Sequence, residues 1–102
     1  MVMYRRPYRR RSYWFALRFD ILVQEGFSPE ESAIISNCRI SSGPVRHIRR
    51  VRKRMVQTAV NSGMSRRDAI EYVRASVRGT EMEIVSWEDF RRIVYPERQN
   101  II

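Results

Sequence analysis

Arginine is the residue with chemistry to offer in this chain. Six of the nine residues from Arg46 to Arg54 are basic, and 19 of the 20 basic residues overall are arginine, Lys53 being the exception. A guanidinium is a planar fork of five donors that takes phosphate oxygens in pairs, whereas an ammonium is a compact point charge. Such a cluster asks for a polyanion. Composition alone argues charge rather than contact, so the distribution carries more. Residues 1–19 hold six arginines and no acid, and no Asp or Glu occurs from Ser32 to Arg67. Residues 80–97, by contrast, hold Glu81, Glu83, Glu88, Asp89 and Glu97 against Arg91 and Arg92. The chain has a positive front and a negative end, an asymmetry that points to polyanion binding, self-association, or both.

The groups that would make an enzyme are missing. His47 is the lone histidine. It lies among cations and has no nucleophile or orienting carboxylate beside it in sequence. Cys38 is the single cysteine; a neighbouring Arg39 would favour its thiolate, but no second histidine exists to complete a Cys/His pair. One cysteine excludes an intrachain disulfide and makes the cytosol the default compartment. One Cys and one His cannot build a zinc site. The adjacent acids Glu30-Glu31 and Glu88-Asp89 fall at helix starts, where the helix dipole accounts for them without a metal. No glycine-rich phosphate loop occurs. The expectation is a protein without enzymatic activity, metal or cofactor.

The elements that must position the arginines follow from caps and periodicity. Residues 1–11 have no apolar periodicity; Arg5, Arg6, Arg9, Arg10 and Arg11 interleave with Tyr4, Pro7 and Tyr8. Charge repulsion and Pro7 predict an extended arm there. Arg beside Tyr also supplies the phosphate ligands and stacking faces that single-stranded nucleic acid uses. A first helix is expected from Ser12 to Glu25, with Trp14, Leu17, Ile21 and Leu22, flanked by Phe15 and Val23, as its apolar face. Gly26 marks its end. Ser28, Pro29 and Glu31 then spell a capping box for a short helix over 29–37, and a loop follows to Gly43.

The long basic helix runs over 44–62. On a helical wheel Val45, Ile48, Val51, Met55, Val56 and Ala59 share one half; Arg46, His47, Arg50, Lys53 and Arg54 share the other, with Arg49 at the edge. Arg52 does not fit. It falls within the apolar arc and must snorkel, pair with a carboxylate, or signal a different register. Gly63-Met64-Ser65 repeats the Gly26-Phe27-Ser28 punctuation. Ser65 and Asp68 cap a helix with Ala69, Ile70, Tyr72, Val73 and Val77 as core face, ended at Gly79. Thr80 to Val85 reads either as a further helical turn or as an extended link. Ser86 with Asp89 starts a last helix bearing Trp87, Phe90, Ile93 and Val94, stopped at Pro96; residues 97–102 are expected to fray.

These signals agree on an all-α fold, a small bundle of about four to five helices over 12–96 with an extended basic N-terminal arm. Arg18 and Asp20 interrupt the apolar run Tyr13–Leu17 too early for a signal peptide or a membrane span. The Tyr and Pro content of the arm argues against a transit peptide.

Residues Gln57 to Val73 (QTAVNSGMSRRDAIEYV) resemble the helix-turn-helix pattern of transcription regulators. Ala59 matches the small residue of the first helix, Gly63 the turn glycine, and Ala69 and Tyr72 core positions of the second helix. The resemblance implies that Ser65, Arg66, Arg67 and Glu71 approach base edges in a major groove. The basic helix speaks independently of it. Arg46–Arg50, Arg49–Lys53 and Arg50–Arg54 are like-charge i,i+4 pairs, each costing a few tenths of a kcal/mol or roughly so. A sequence that tolerates this relieves it against phosphate or another protein's acids. The leading expectation is therefore a nucleic-acid-binding protein for DNA or RNA, of low sequence specificity. Arg5, Arg6, Arg9, Arg10, Arg11, Arg46, Arg49, Arg50, Lys53, Arg54, Arg66 and Arg67 are its candidate contacts. A structural subunit of a virion or ribonucleoprotein particle, forming a homo-oligomer or larger assembly, is the alternative, and a helix-turn-helix regulator the second. No membrane partner is expected. The corresponding location is intracellular, in cytoplasm or nucleoid, or within a nucleic-acid-containing particle.

Overall fold

Glycine exits and serine entries set the borders of every turn between helices but one. Gly26, Gly63 and Gly79 have φ of 102°, 116° and 80°, values that side-chain-bearing residues rarely adopt. In the computed structural model, which describes residues 6–95, five helices follow one another: α1 (Arg6–Gln24), α2 (Pro29–Ile35), α3 (Gly43–Asn61), α4 (Arg66–Val77) and α5 (Trp87–Val94). No strand occurs among the described residues. The two Gly-apolar-Ser units close their helices in the same way. Phe27 N–H donates to Leu22 O at 3.1 Å, and Met64 N–H donates to Ala59 O at 3.3 Å, each five residues back. That closure satisfies a carbonyl the helix end would otherwise leave open.

The entries are equally regular. Ser28 Oγ accepts from Glu31 N–H at 3.1 Å while Glu31 Oε1 accepts from Ser28 N–H at 2.9 Å, the full capping box. Ser65 Oγ accepts from Asp68 N–H and Ser86 Oγ from Asp89 N–H, both at 3.1 Å. A cap of this kind is worth about 1 kcal/mol. Thr80–Val85 adds no turn to α4 and forms a link that opens with a turn, Glu83 N–H donating to Thr80 O at 3.2 Å, and runs on irregularly over 83–85. Turn residues carry the chain past Glu81, and Ile84 is then fully buried.

Buried side chains form two clusters. Leu22, Phe27, Ile35, Val45, Ile48, Ile84, Phe90 and Val94 join α1, α2, the start of α3, the link and α5. Val56, Ala59, Ala69, Ile70, Val73 and Val77 join the second half of α3 to α4. α3 therefore belongs to both clusters, and the point where it passes between them is Arg52.

Several expectations from the sequence are corrected. The backbone of α1 is helical from Arg6, upstream of the start expected near Ser12; Pro7 falls in the first turn, where a missing N–H costs nothing. Residues 1–5 and the side chains of 6–12 lie outside the described set, so the expected arm contacts Arg5, Arg6, Arg9, Arg10 and Arg11 do too, as does the fraying of 97–102. α2 ends at Ile35, two residues early: the Ser36 N–H still bonds four residues back to Ser32 O, but Asn37 and Cys38 N–H turn to Ile34 O and Ile35 O, three residues back. The apolar face of α1 is only partly covered: Leu22 is buried, but Trp14 is 48% and Ile21 38% exposed. Tyr72 and Trp87, expected in the core, are also exposed. No described helix is long and apolar enough to cross a membrane.

Candidate nucleic-acid interface

The arginines of α3 divide into two populations according to what they meet. Arg52 is buried, 2% exposed, and is among the largest fully enclosed side chains of the molecule. Its guanidinium forks onto Glu31, with Nη1 to Oε1 at 2.8 Å and Nη2 to Oε2 at 3.0 Å. Nη1 also donates to the Gly26 carbonyl at 3.0 Å, and the guanidinium carbon lies 4.3 Å from the centre of the Phe27 ring. Glu31 is equally committed: Oε1 accepts from Ser28 N–H and Oε2 from the backbone N–H of Ile84 at 3.0 Å. Burial alone would push the Glu31 carboxyl up. The Arg52 hydrogen bonds and charge, with the Ser28 and Ile84 N–H groups, outweigh it and hold the carboxyl below its ordinary range.

Of the three possibilities open for Arg52, the carboxylate pair is the one realised. Its partner was hidden because Glu31 already had a sufficient role in the capping box. Arg49, at the edge of the wheel, faces inward as well. Nε and Nη2 donate to the two oxygens of Glu25 at 2.9 and 2.5 Å, and Nη1 donates to Ile40 O at 3.2 Å. Hydrogen bonding to Glu25 raises the guanidinium pKa further. An arginine bound to this extent is a tie between α1 and α3 before it is a ligand for anything else.

The second population faces out. Arg46, Arg50, Lys53 and Arg54 are exposed along the outer half of α3, spanning about 12 Å of helix axis at 1.5 Å per residue. Arg46 spends one donor on Ser41 O at 2.7 Å. None of the four meets a described carboxylate; the ion pairs go to Arg49, Arg52, Arg74 and Arg92. Arg46, Arg50 and Arg54 form one i,i+4 row in which repulsion is unrelieved, whereas Arg49 is neutralised by Glu25.

Arg66 and Arg67, the first two residues of α4, are exposed. With Val23, Ile70, Glu71 and Arg74 they line an open groove of about 360 Å³ between the end of α1 and the start of α4. Arg74 is used within the fold, donating to Phe27 O at 3.1 Å and Val23 O at 3.2 Å. His47 is exposed on α3 and borders a separate groove with Met82 and Ile93.

Cys38 departs from expectation. Burial pushes its thiol up, and the charge that partly offsets this is Arg18, not Arg39. Glu88 and Asp89 stand at the start of α5 as expected; Asp89 accepts from Val85 N–H at 3.1 Å and pairs with Arg92. No group of three metal-ligating side chains comes together among the described residues. Comparison with models of protein families, with curated proteins and with solved structures finds no match for this chain.

Proposed function

We propose that this chain is a non-enzymatic nucleic-acid-binding protein that holds backbone phosphates with little sequence preference. The observation that supports it is the division within α3. Arg49 and Arg52 are matched to carboxylates, while Arg46, Arg50, Lys53 and Arg54 stand together on the outside with none. A row of like charges on one helix face is destabilising in the free protein and is relieved by phosphate oxygens, to which arginine binds in pairs. The arm, with Arg5, Arg6, Arg9, Arg10 and Arg11 among tyrosines, adds charge and stacking surface to the same interface. Arg66 and Arg67 extend it toward α4. Low specificity follows from the ligand, since phosphate contacts position a protein without reading sequence.

The test is a salt-titrated binding series against duplex DNA, single-stranded DNA and RNA. Replacing Arg50, Lys53 and Arg54 by Gln should weaken binding to every sequence alike. On duplex DNA it should flatten the dependence of log affinity on log salt by roughly one per cation removed. Arg78→Gln, an exposed cation at the far end of α4, controls for net charge and should change little. Thermal stability of the triple variant should be unchanged or slightly raised, because repulsion is removed. Unchanged affinity would take this helix out of the interface.

A second reading rests on the α3–α4 turn, where Gly63 and the Ser65 cap present Arg66 and Arg67 at a helix start. It makes the chain a sequence-reading helix-turn-helix protein. It predicts strong selection of one duplex from a random pool and its loss in Arg66→Gln or Arg67→Gln. Equal recovery of all sequences rejects it.

A further inference from the structure

The groove between the end of α1 and the start of α4 mixes groups that a plain phosphate site would not. Its volume is about 360 Å³, within the range of roughly 300–1,000 Å³ that small-molecule clefts occupy. Arg66 and Arg67 stand on its α4 side, both exposed, and none of the ion pairs among the described residues includes either. Ile70, nearly buried, and Val23, half-buried, supply apolar wall. Gln24 and Glu71, both exposed, add an amide and a carboxylate.

The groove is held in shape. Arg74 donates to Phe27 O and Val23 O, so one α4 side chain fixes the end of α1 against α4 and has little left for a ligand. Glu71 is not so committed: its side chain is 70% exposed and reaches Arg74 only at 3.6 Å. A carboxylate repels phosphate, so its presence beside two unpaired cations points away from a ligand that is anionic throughout. It suits a ligand with an anionic end, a flat apolar body and a donor edge.

We infer that this groove takes one unpaired nucleotide of a bound strand, its base edge on Glu71 and its flanking phosphates on Arg66 and Arg67. The inference rests on the reading of the ligand as nucleic acid and adds the kind of strand: single, not duplex. A paired base keeps its Watson–Crick edge and both faces inside the helix. An unpaired base can be splayed out, laid against a guanidinium plane and bonded along its edge. No aromatic side chain lines the groove among the described residues, so the guanidinium planes and Ile70 are the available faces. An ionised Glu71 only accepts hydrogen bonds. It therefore favours cytosine, whose N4 amino group donates, over uracil, which presents a carbonyl oxygen at that position.

The test uses the full chain and two strands of equal length that differ at that group, oligo-dC and oligo-dU, compared by fluorescence anisotropy at neutral pH and fixed salt. Wild type should hold oligo-dC roughly tenfold more tightly, the worth of one hydrogen bond to a charged group. Glu71→Gln, whose amide both accepts and donates, should bring the two affinities together; the position is exposed, so the variant should fold, which circular dichroism checks. Glu88→Gln on α5 removes the same charge and should keep the ratio. Replacing Arg50, Lys53 and Arg54 by Gln should weaken both strands and also keep it, which separates base contact from phosphate contact. Equal binding of the two strands by wild type, or a preference that survives Glu71→Gln, would overturn the groove while leaving α3 as the phosphate face. So would binding to duplex alone. Free dCMP bound as tightly as oligo-dC would make the groove a site for a free nucleotide and overturn its place on a strand. Unchanged affinity in the triple variant, with the dC preference intact, would remove α3 and keep the groove.

Discussion

At the scale of the residue, the decisive pair is Arg52 with Glu31. Both side chains are 2% exposed, so neither charge has water to fall back on, and each is satisfied only by the other and by nearby backbone. Removing one partner of such a pair strands the other and costs about 3–5 kcal/mol. Arg52→Leu should therefore lower unfolding stability by that order in a urea titration, a large fraction of what a domain this size holds. The same pair sets an acid response. The Glu31 pKa is lower folded than unfolded, so its contribution is fully present above the ordinary glutamate range and is lost as pH falls through the folded value. Stability of the wild type should fall as pH drops below that range, and in Arg52→Leu the part of that fall due to Glu31 should vanish or reverse, because burial then raises the carboxyl and protonation relieves a stranded charge. Acid limbs that coincide would show that Arg52 does not hold the Glu31 proton off. Outside this pair, Arg49 and Arg54 differ by five positions in one helix yet meet different surroundings, one tied to Glu25 and one exposed with no described carboxylate beside it.

At the scale of the element, the repeated Gly-apolar-Ser turn does two jobs of unequal difficulty. Both glycines take φ values that cost an L-residue about 1–2 kcal/mol. At Gly63 nothing else opposes a side chain, since an added Cβ would meet no atom within 4 Å. At Gly26 that Cβ would lie 2.8 Å from Val56 Cγ2 and 3.2 Å from Arg52 Cγ. The α1–α2 turn lies directly against α3 at the place where the two clusters meet. Gly63→Ala should thus cost only the conformational term, and Gly26→Ala a further 1–3 kcal/mol or so from overpacking. Equal melting temperatures for the two variants would mean that α3 yields at Val56. The same close approach explains why the turn carbonyl of Gly26 reaches Arg52 at all.

At the scale of the molecule, two apolar clusters share one helix and are joined by a polar rivet. Glu31 lies on α2, Arg52 on α3 and Ile84 on the link, so three elements distant in sequence are fixed through one carboxylate. The α3–α4 cluster has its own apolar contacts, while the link and α5 depend on Glu31 and on Phe90 and Val94. Hydrogen exchange in Arg52→Leu should accelerate first at Ile84 and along α5, with the amides of α4 protected for longer. Uniform acceleration would mean that the clusters unfold as one unit. The net charge of +9 is likewise unevenly used: carboxylates are spent on the inward arginines, which leaves the outer row of α3 bare.

Local chemistry is what the sequence determined by itself. Serine caps, glycine exits and the 3.6-residue period marked out the helices from α2 onward to within two residues, because each is a contact between near neighbours that no distant residue can cancel. The same period separated the outer row Arg46, Arg50, Lys53 and Arg54 from the apolar half of α3, and it flagged Arg52 as a misfit. What it left open needed distance. Glu31 had a complete local explanation as a capping residue, so nothing in the chain named it as the partner of a cation 21 positions away. Nor did periodicity tell which half of an apolar face finds a neighbour: Leu22 and Trp14 look alike on the wheel, and only packing buries one and leaves the other in water. Pairing and coverage are properties of how the helices meet, and the tertiary structure alone decided them.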